Sequence, residues 1–331
     1  MSELLWTDRE WLEEASAWIR ITLERLGLAV IGEIEQVRVR PWATALRVPT
    51  ESGDVWFKAS IPVLGKEAAV TRVLARYRPD CAPQILADDP ERSWMLLRDA
   101  GPPLETLLGS AAYSEHWEQA LPQYAELQID LARHVDELLE AGAIDRRLET
   151  LPRLYEAVLA DAESLRVGLP DGLTDEQLDE LHMLAPELPV QCAELAAFGR
   201  PETIQHDDLS DADVRLPDGG YRFIDWGDAC VSHPFFTMTV TLRVIAWRLG
   251  FGLEATAPEL QRFRDAYLEP WTAFASRPEL LEAFPLARRL GKLFRAFSYH
   301  LTIPHLPAPH RAEYADGVPA WLQIFLGVEP P

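Results

Sequence analysis

The 331-residue sequence has few cysteines, and they form no recognisable pattern. Cys81, Cys192 and Cys230 are far apart, and none belongs to a Cys-x-x-Cys pair. An odd number of widely spaced cysteines argues against both a disulfide framework and a cysteine-rich zinc site. We therefore expect all three to be small side chains buried in the core.

Long hydrophobic runs are also lacking. No stretch approaches the roughly 20 consecutive apolar residues that cross a bilayer, and the first residues lack the basic region and hydrophobic core of a signal peptide. Hydrophobic residues nevertheless make up 48% of the chain, which is enough to bury a large core. The sequence predicts a folded cytoplasmic protein that does not contact a membrane.

Basic residues are scarce relative to acidic ones, with 31 against 53 and a net charge of −22. A charge of this sign repels phosphate backbones and anionic lipids, so nucleic acid is a poor candidate partner and none is predicted. The same charge would attract a cationic small molecule. A solvated acidic surface that maintains solubility explains it more simply, so charge alone does not identify the ligand.

The first part of the chain reads as short strands around one helix. A helix from 7 to 26, with Thr7 and Glu10 as its capping box, precedes strand-like stretches at 33–40, 43–48 and 54–60. A helical pattern at 64–77 and a hairpin over 84–98 follow. This order predicts a small antiparallel sheet with one helix inserted.

From Asp99 onward, long helical patterns dominate, at 113–141, 151–165, 174–184 and 187–198. The exception is 203–226, where β-like runs surround a strong hairpin turn at 217–220. The sequence thus predicts an α+β chain with two lobes, residues 1–98 and residues 99–331.

The most informative segment contains His206, Asp208 and Asp213, followed across the hairpin turn by Asp225. Phosphoryl transfer needs a carboxylate to orient the attacking hydroxyl and oxygen ligands for magnesium. Asp208 lies two residues after His206 and five before Asp213, which is the spacing of a kinase catalytic loop and its metal ligand. Because aspartate-rich turns usually only cap and turn the chain, the prediction depends on the ordered set. Three further aspartates remain ambiguous: Asp207, Asp211 and Asp228.

A candidate phosphate-binding cation lies in the first lobe. Lys58 belongs to the third strand-like stretch, and Glu67 follows nine residues later near the start of the predicted helix. Alone, such a lysine normally faces solvent and such a glutamate normally complements the helix dipole. Together with the downstream loop, they predict the ion pair that holds a lysine against the α- and β-phosphates in kinases.

These residues resemble the aminoglycoside phosphotransferase and choline kinase superfamily. In that family the loop usually reads His-Gly-Asp with an asparagine five residues on, and a later motif reads Ile-Asp-Trp, as residues 224–226 do here. The resemblance implies a two-lobed protein kinase-like fold. It also implies transfer of the γ-phosphoryl group of ATP, with Mg²⁺, to a hydroxyl of a small molecule such as an aminoglycoside, an amino alcohol or a sugar.

The resemblance assigns roles residue by residue. Asp208 becomes the catalytic base or hydroxyl-orienting carboxylate, and His206 braces its loop. Asp225 becomes the principal magnesium ligand, and Asp213 takes the place of the second metal-binding residue. In the first lobe, Lys58 contacts the phosphates of ATP.

Residues 94–101 resemble the hinge between the lobes of that family, where backbone groups hydrogen-bond the adenine edge. The resemblance implies that Leu97 and Asp99 make these contacts. An ordinary buried strand that leaves into a turn explains the same segment.

Two departures from the family pattern support a different hypothesis. The segment 39–45, where a loop should cover the phosphates, contains no glycine, and Asp213 stands where asparagine is usual. The alternative is a catalytically silent kinase-like protein that binds a nucleotide or metabolite. Retention of Lys58, Asp208 and Asp225 together favours an enzyme, and the added carboxylate predicts strong metal dependence.

Overall fold

The computed structural model describes residues 4–252 and 258–328, and it confirms the α+β, two-lobed architecture. The small lobe consists of a five-stranded antiparallel sheet and two helices. Its strands are β1 (Glu35–Val39), β2 (Ala43–Thr50), β3 (Gly53–Ser60), β4 (Ile85–Asp89) and β5 (Trp94–Arg98). Its helices are α1 (Arg9–Arg25) and α2 (Glu67–Tyr77).

The strands are arranged in the order β1-β2-β3-β5-β4, so β3 is the central strand, between β2 and β5. Val55, Phe57 and Ala59 of β3 are buried in the apolar cluster that α1 covers. Because side chains alternate along a strand, Trp56 and Lys58 lie on the opposite face. That face forms one wall of the cleft between the lobes.

Helix α1 begins differently from the sequence prediction. The proposed capping box of Thr7 and Glu10 is wrong, since the N-cap residue is Asp8. Its carboxylate accepts the N–H groups of Glu10 at 2.7 Å and Trp11 at 3.2 Å. Aspartate satisfies these unpaired groups as well as a hydroxyl does. At the other end, Gly27 terminates the helix with a φ of +71°, as expected.

The large lobe is mainly helical. Its helices are α3 (Ala111–Leu131), α4 (Val135–Glu140), α5 (Leu151–Leu159), α6 (Ala162–Leu165), α7 (Asp175–Leu184), α8 (Leu188–Ala197), α9 (Thr237–Leu249), α10 (Pro258–Leu268), α11 (Arg277–Thr302), α12 (Ala308–Glu313) and α13 (Gly317–Leu326). The predicted helix 113–141 is interrupted at Ala132–His134 by a single 3₁₀ turn. The predicted helix 151–165 is likewise two helices, α5 and α6.

Short strands position the candidate site within this lobe. These strands are β6 (Ile144–Asp145), β7 (Thr203–Gln205), β8 (Val214–Arg215), β9 (Arg222–Phe223) and β10 (Cys230–Ser232). One sheet has the order β6-β10-β7, and a separate pair, β8 and β9, flanks the hairpin turn. The loop from β7 to β8 and the segment after β9 therefore meet at one edge of the lobe.

Both lobes contribute to each other's apolar clusters. One face of α2 packs into the large-lobe core, and Leu306 packs into the small-lobe core. All three cysteines are buried and unpaired, as expected. In the part of the chain that the structure describes, no helix is both long and apolar enough to span a bilayer.

Candidate active site

The structure brings Lys58 and Glu67 together in the cleft. Lys58 lies in the middle of β3, and its Nζ is 2.6 Å from Oε2 of Glu67 at the start of α2. Glu67 is only 5% exposed, and its other carboxylate oxygen accepts the backbone N–H of Trp226 at 3.1 Å. The glutamate therefore links the small-lobe lysine to the loop that follows β9.

Lys58 also forms an ion pair with Asp225, across the cleft. Burial disfavours the ammonium form, but Asp225 and Glu67 outweigh this effect and raise the pKa of Lys58 above its ordinary value. Burial of Asp225 acts against its charged form too, yet Lys58 holds the pKa of Asp225 at about 2. Both groups are therefore charged at neutral pH.

Asp213 is held close to Asp225, since its backbone carbonyl accepts the N–H of the preceding Ile224 at 3.0 Å. Its carboxylate accepts the backbone N–H of Ser210 at 3.1 Å and the Ser210 hydroxyl at 2.6 Å. Burial raises the pKa of Asp213 to about 7, and the negative charge of Asp225 adds to this effect. Lys58 pairs with Glu67 and Asp225, whereas Asp213 has no ion-pair partner among the described residues. The guanidinium groups of Arg38 and Arg215 act on Asp225 and Asp213 from beyond ion-pair distance. The negative charge of Asp213 is therefore not compensated at short range.

The donor set of this region suits magnesium. Within residues 4–252 and 258–328, no group of three or more His, Cys, Asp or Glu side chains is already arranged to hold a metal ion. Mg²⁺ needs no such cage, because one or two carboxylates together with water and phosphate oxygens complete its coordination. Asp225 and Asp213 provide two carboxylates, and a cation between them would relieve the repulsion that raises the pKa of Asp213.

His206 joins the loop between β7 and β8 to the same region. The side chain is buried, and its Nε2 lies 2.7 Å from the carbonyl oxygen of Ile224. Because a carbonyl only accepts hydrogen bonds, Nε2 carries the proton. The imidazole ring also packs against the ring of Trp226, with centroids 4.7 Å apart. The backbone N–H of His206 donates to the Tyr124 hydroxyl at 3.1 Å. These contacts fix the loop next to Asp225.

Asp208 opens into a pocket beside these residues. Its side chain is half exposed, and Nη2 of Arg295, from α11, lies 3.2 Å from its Oδ2. The exposed part of this carboxylate faces the pocket, where desolvation raises the pKa of Asp208 to about 6, although Arg295 opposes this shift. The same guanidinium lies 3.3 Å from Oδ2 of Asp228. At neutral pH Asp208 is thus an oriented, mostly ionised carboxylate.

Asp207, which takes the place of the family's glycine, has a structural role. Its φ of +70° is in the left-handed region that glycine favours. The side chain is 2% exposed and accepts from Arg146 at 3.2 Å, from Arg295 at 3.3 Å and from the Ser298 hydroxyl. A buried carboxylate thereby anchors two arginines that contact the loop between β7 and β8. Sequence reasoning missed both arginines, because neither lies in a recognisable motif.

Asp211 is also part of the scaffold. It is 1% exposed, accepts the hydroxyl of Tyr113 at 2.9 Å, and pairs with Nε of Arg248 at 2.9 Å. Asp228, in contrast, lines the pocket that contains Asp208. The three aspartates left open by the sequence therefore divide into two buried anchors and one pocket residue.

The predicted hinge residues lie at the end of β5. Leu97 belongs to a small apolar cluster with Ala68 and Met95, on the face of the sheet that carries Lys58. The N–H of Asp99 donates to the carbonyl of Asp54 at 3.3 Å, so that group is already bonded within the protein. The adenine contacts of Leu97 and Asp99 remain predictions.

The fold and the site together define a kinase-like phosphotransferase. The chain belongs to the phosphotransferase enzyme family, whose family model matches residues 39–297. This membership confirms the resemblance seen in the sequence. No curated protein matches the chain significantly.

Solved structures of small-molecule kinases share the fold. An ethanolamine kinase from Plasmodium vivax superposes with a TM-score of 0.63 at 12% identity, covering 97% of this chain and 90% of that one. A choline/ethanolamine kinase family protein from Mesorhizobium loti gives 0.59 at 16% identity, covering 95% and 94%. A macrolide 2′-phosphotransferase type I gives 0.57 at 15% identity, covering 93% and 96%. At these identities the similarity establishes the fold alone.

Proposed function

We propose that this protein transfers the γ-phosphoryl group of ATP, in the presence of Mg²⁺, to a hydroxyl group of a small molecule. The observation that carries the proposal is the convergence of Lys58, Glu67 and Asp225 from three separate elements onto one point of the cleft. Membership of the phosphotransferase family supports the same reaction class. The boundary between the nucleotide-binding and catalytic lobes is proposed at residues 98 and 99.

The nucleotide would bind along β3 and β5. Lys58, held charged by its two carboxylates, would contact the α- and β-phosphates. Backbone groups of Leu97 and Asp99 would bond the adenine edge. For Asp99 we propose the carbonyl oxygen, since its N–H is bonded to Asp54.

Asp225 and Asp213 would hold the magnesium ion. When bound, Mg²⁺ neutralises charge on the phosphates and so favours attack on the γ-phosphorus. Asp213 must release its proton before it can bind the ion. Because burial raises the pKa of Asp213 to about 7, acid should weaken metal binding.

Asp208 would act on the acceptor. Its carboxylate orients the acceptor hydroxyl and receives its proton as the hydroxyl oxygen bonds to the γ-phosphorus and the bond to ADP breaks. Arg295 holds the carboxylate in place, and His206 braces the loop. Around Asp208, three carboxylates face two guanidinium groups, which favours a neutral or cationic acceptor. An aminoglycoside, an amino alcohol or a sugar-like compound meets this requirement.

A second candidate is a catalytically silent protein that binds a nucleotide or metabolite. The observation that favours it is the turn between β1 and β2, which has no glycine and is closed by a bond from the Arg40 N–H to the Ala43 carbonyl at 2.8 Å. A turn closed in this way has less freedom to fold over phosphates.

Turnover separates the two candidates. Purified protein with ATP and Mg²⁺ is assayed for ADP release against a panel of aminoglycosides, amino alcohols and sugars. The proposal expects acceptor-dependent release with at least one compound and loss of release in EDTA. Nucleotide binding without acceptor-dependent release across the panel would favour the silent protein instead.

A further inference from the structure

The turn between β1 and β2 reaches across the cleft to the large lobe. The ring of Trp42, at this turn, lies edge-on to the ring of Tyr314, with centroids 5.0 Å apart and planes at 76°. Trp42 thereby lines the same pocket as Asp208 and Asp228. The turn expected to cover phosphates thus places an aromatic side chain over the pocket of the proposed catalytic base.

Hydrogen bonds hold Trp42 in this position from the small-lobe side. The carbonyl of Arg40 accepts the indole N–H of Trp6 at 2.9 Å, and the carbonyl of Trp42 accepts the N–H of Ile61 at 2.9 Å. Both neighbours belong to the small-lobe apolar cluster. The turn is therefore tied to the lobe's core on both sides of its tip.

The large-lobe side of the pocket is equally well anchored. Leu306, a second pocket residue, is 2% exposed because it packs into the small-lobe core. Tyr299 supports the guanidinium of Arg295 at 5.2 Å from its ring centroid. Gly317 leaves the space that the ring of Tyr299 occupies, since a Cβ atom there would lie 2.6 Å from it. The aromatic walls are consequently part of the packed structure.

The pocket under Trp42 is small and has two kinds of surface. Its volume is about 110 Å³, compared with roughly 300–1,000 Å³ for the pockets of drug-sized ligands. Carboxylates and a guanidinium line the floor, and aromatic rings line the walls. A hydroxyl compound that fits must be compact, with a polar end toward Asp208 and an apolar edge toward Trp42.

We infer that Trp42 is a specificity-determining residue that restricts the acceptor to compact hydroxyl compounds, the size of an amino alcohol or a monosaccharide, and excludes multi-ring acceptors. The inference rests on the proposed function, because it assumes that Asp208 marks the acceptor side. It goes further by assigning acceptor choice to a small-lobe residue outside the catalytic loop.

The test compares acceptors of increasing size in proteins that have or lack the indole ring of Trp42. ADP release with MgATP is measured for choline, glucosamine and the multi-ring aminoglycoside kanamycin, using wild type, Trp42→Ala and Trp42→Phe. We expect wild type to have a higher kcat/KM for choline or glucosamine than for kanamycin. In Trp42→Ala, the ratio of kcat/KM for the compact probe to kcat/KM for kanamycin should fall by at least about tenfold. This is the effect of one well-packed apolar contact. Trp42→Phe should retain most of the selectivity, and KM for ATP should stay within about twofold.

The controls keep the inference falsifiable. Trp247→Ala removes an indole that is 68% exposed and should leave the ratio unchanged. If Trp42→Ala does not fold, Tyr314→Ala opens the same contact from the large lobe. A wild type that prefers kanamycin, or a ratio unaffected by opening the contact, would overturn the inference while leaving the proposed function intact. Absence of release with all three probes in every variant would count against the proposed function itself.

Discussion

The two halves of the cleft balance their charges in different ways. One half, where we propose that the nucleotide binds, contains the ammonium group of Lys58 paired with Glu67 and Asp225, and a third carboxylate, Asp213, that has no ion-pair partner among the described residues. The other half, where we propose that the acceptor binds, contains two guanidinium groups and three carboxylates: Arg146, Arg295, Asp207, Asp208 and Asp228. In the first half, the negative charge of Asp213 lacks a close partner, which an added cation would provide. The second is nearly neutral by itself, so the candidate base is positioned by the protein alone.

Substitution of Asp208, the candidate base, should have the largest effect and should affect only one half of the cleft. Asp208→Asn keeps the size of the side chain but removes the proton acceptor, so kcat should fall roughly 10²–10⁴-fold. Affinity for MgATP should change little, because the proposed nucleotide contacts lie in the other half of the cleft. ADP release and calorimetric titration measure the two effects, with Asp218→Asn in the exposed hairpin turn as the matched control. A parallel loss of nucleotide affinity would show that the halves are not separable.

Glycine, the residue that the family usually has at position 207, should lower the stability of this protein. Asp207→Gly restores the glycine and relaxes the positive φ, but it leaves Arg146 and Arg295 without their shared buried carboxylate. Removing one partner from a buried ion pair costs about 3–5 kcal/mol, which exceeds the gain from glycine. The melting temperature should therefore fall by roughly 3 °C or more in calorimetry. An unchanged or higher value would mean that the arginines do not need this anchor.

In the metal-free protein, the carboxylate of Asp213 should lower the stability of the folded state as the pH rises. The pKa of Asp213 is about 7 when folded, against roughly 3.9 in an unfolded chain, so between these values the folded state retains a proton that the unfolded state releases. Stability contributed by this group therefore falls as the pH rises through that window.

Asp213→Asn should not lose stability in this way, because asparagine does not ionise. In EDTA, its melting temperature relative to wild type should increase by at least about 2 °C between about pH 4.5 and pH 8, which corresponds to roughly 1 kcal/mol. Thermal unfolding at both pH values measures the difference. If the melting temperatures of Asp213→Asn and wild type differ equally at both pH values, ionisation of Asp213 does not destabilise the folded protein.

The local parts of the site could be predicted from the sequence. Lys58 was expected on a strand and Glu67 on the following helix, and the structure has both there. The spacing from His206 to Asp208 and Asp213 also pointed to one loop. These predictions succeed because alternation, turn residues and short spacings are set by neighbours along the chain.

The long-range parts could not be predicted. Arg146 and Arg295 reach Asp207 over 61 and 88 residues, and the partner of Trp42 is in a different lobe. Neighbouring aspartates look alike in sequence, but their roles differ because burial and partners differ. Asp207 is an anchor, whereas Asp208 faces the pocket. Such distinctions depend on packing between distant segments, which periodicity does not encode.

The most direct test of the account is a calorimetric titration of ATP with Mg²⁺ into wild type and into Lys58→Met. If Lys58 is the phosphate-binding cation, the variant should bind at least about 30-fold more weakly, as expected when roughly 2 kcal/mol of a buried charged contact is lost. Lys66→Met, an exposed lysine eight residues away, should bind as wild type does. Equal affinity of wild type and Lys58→Met would contradict the claim that Lys58, Glu67 and Asp225 form a nucleotide site.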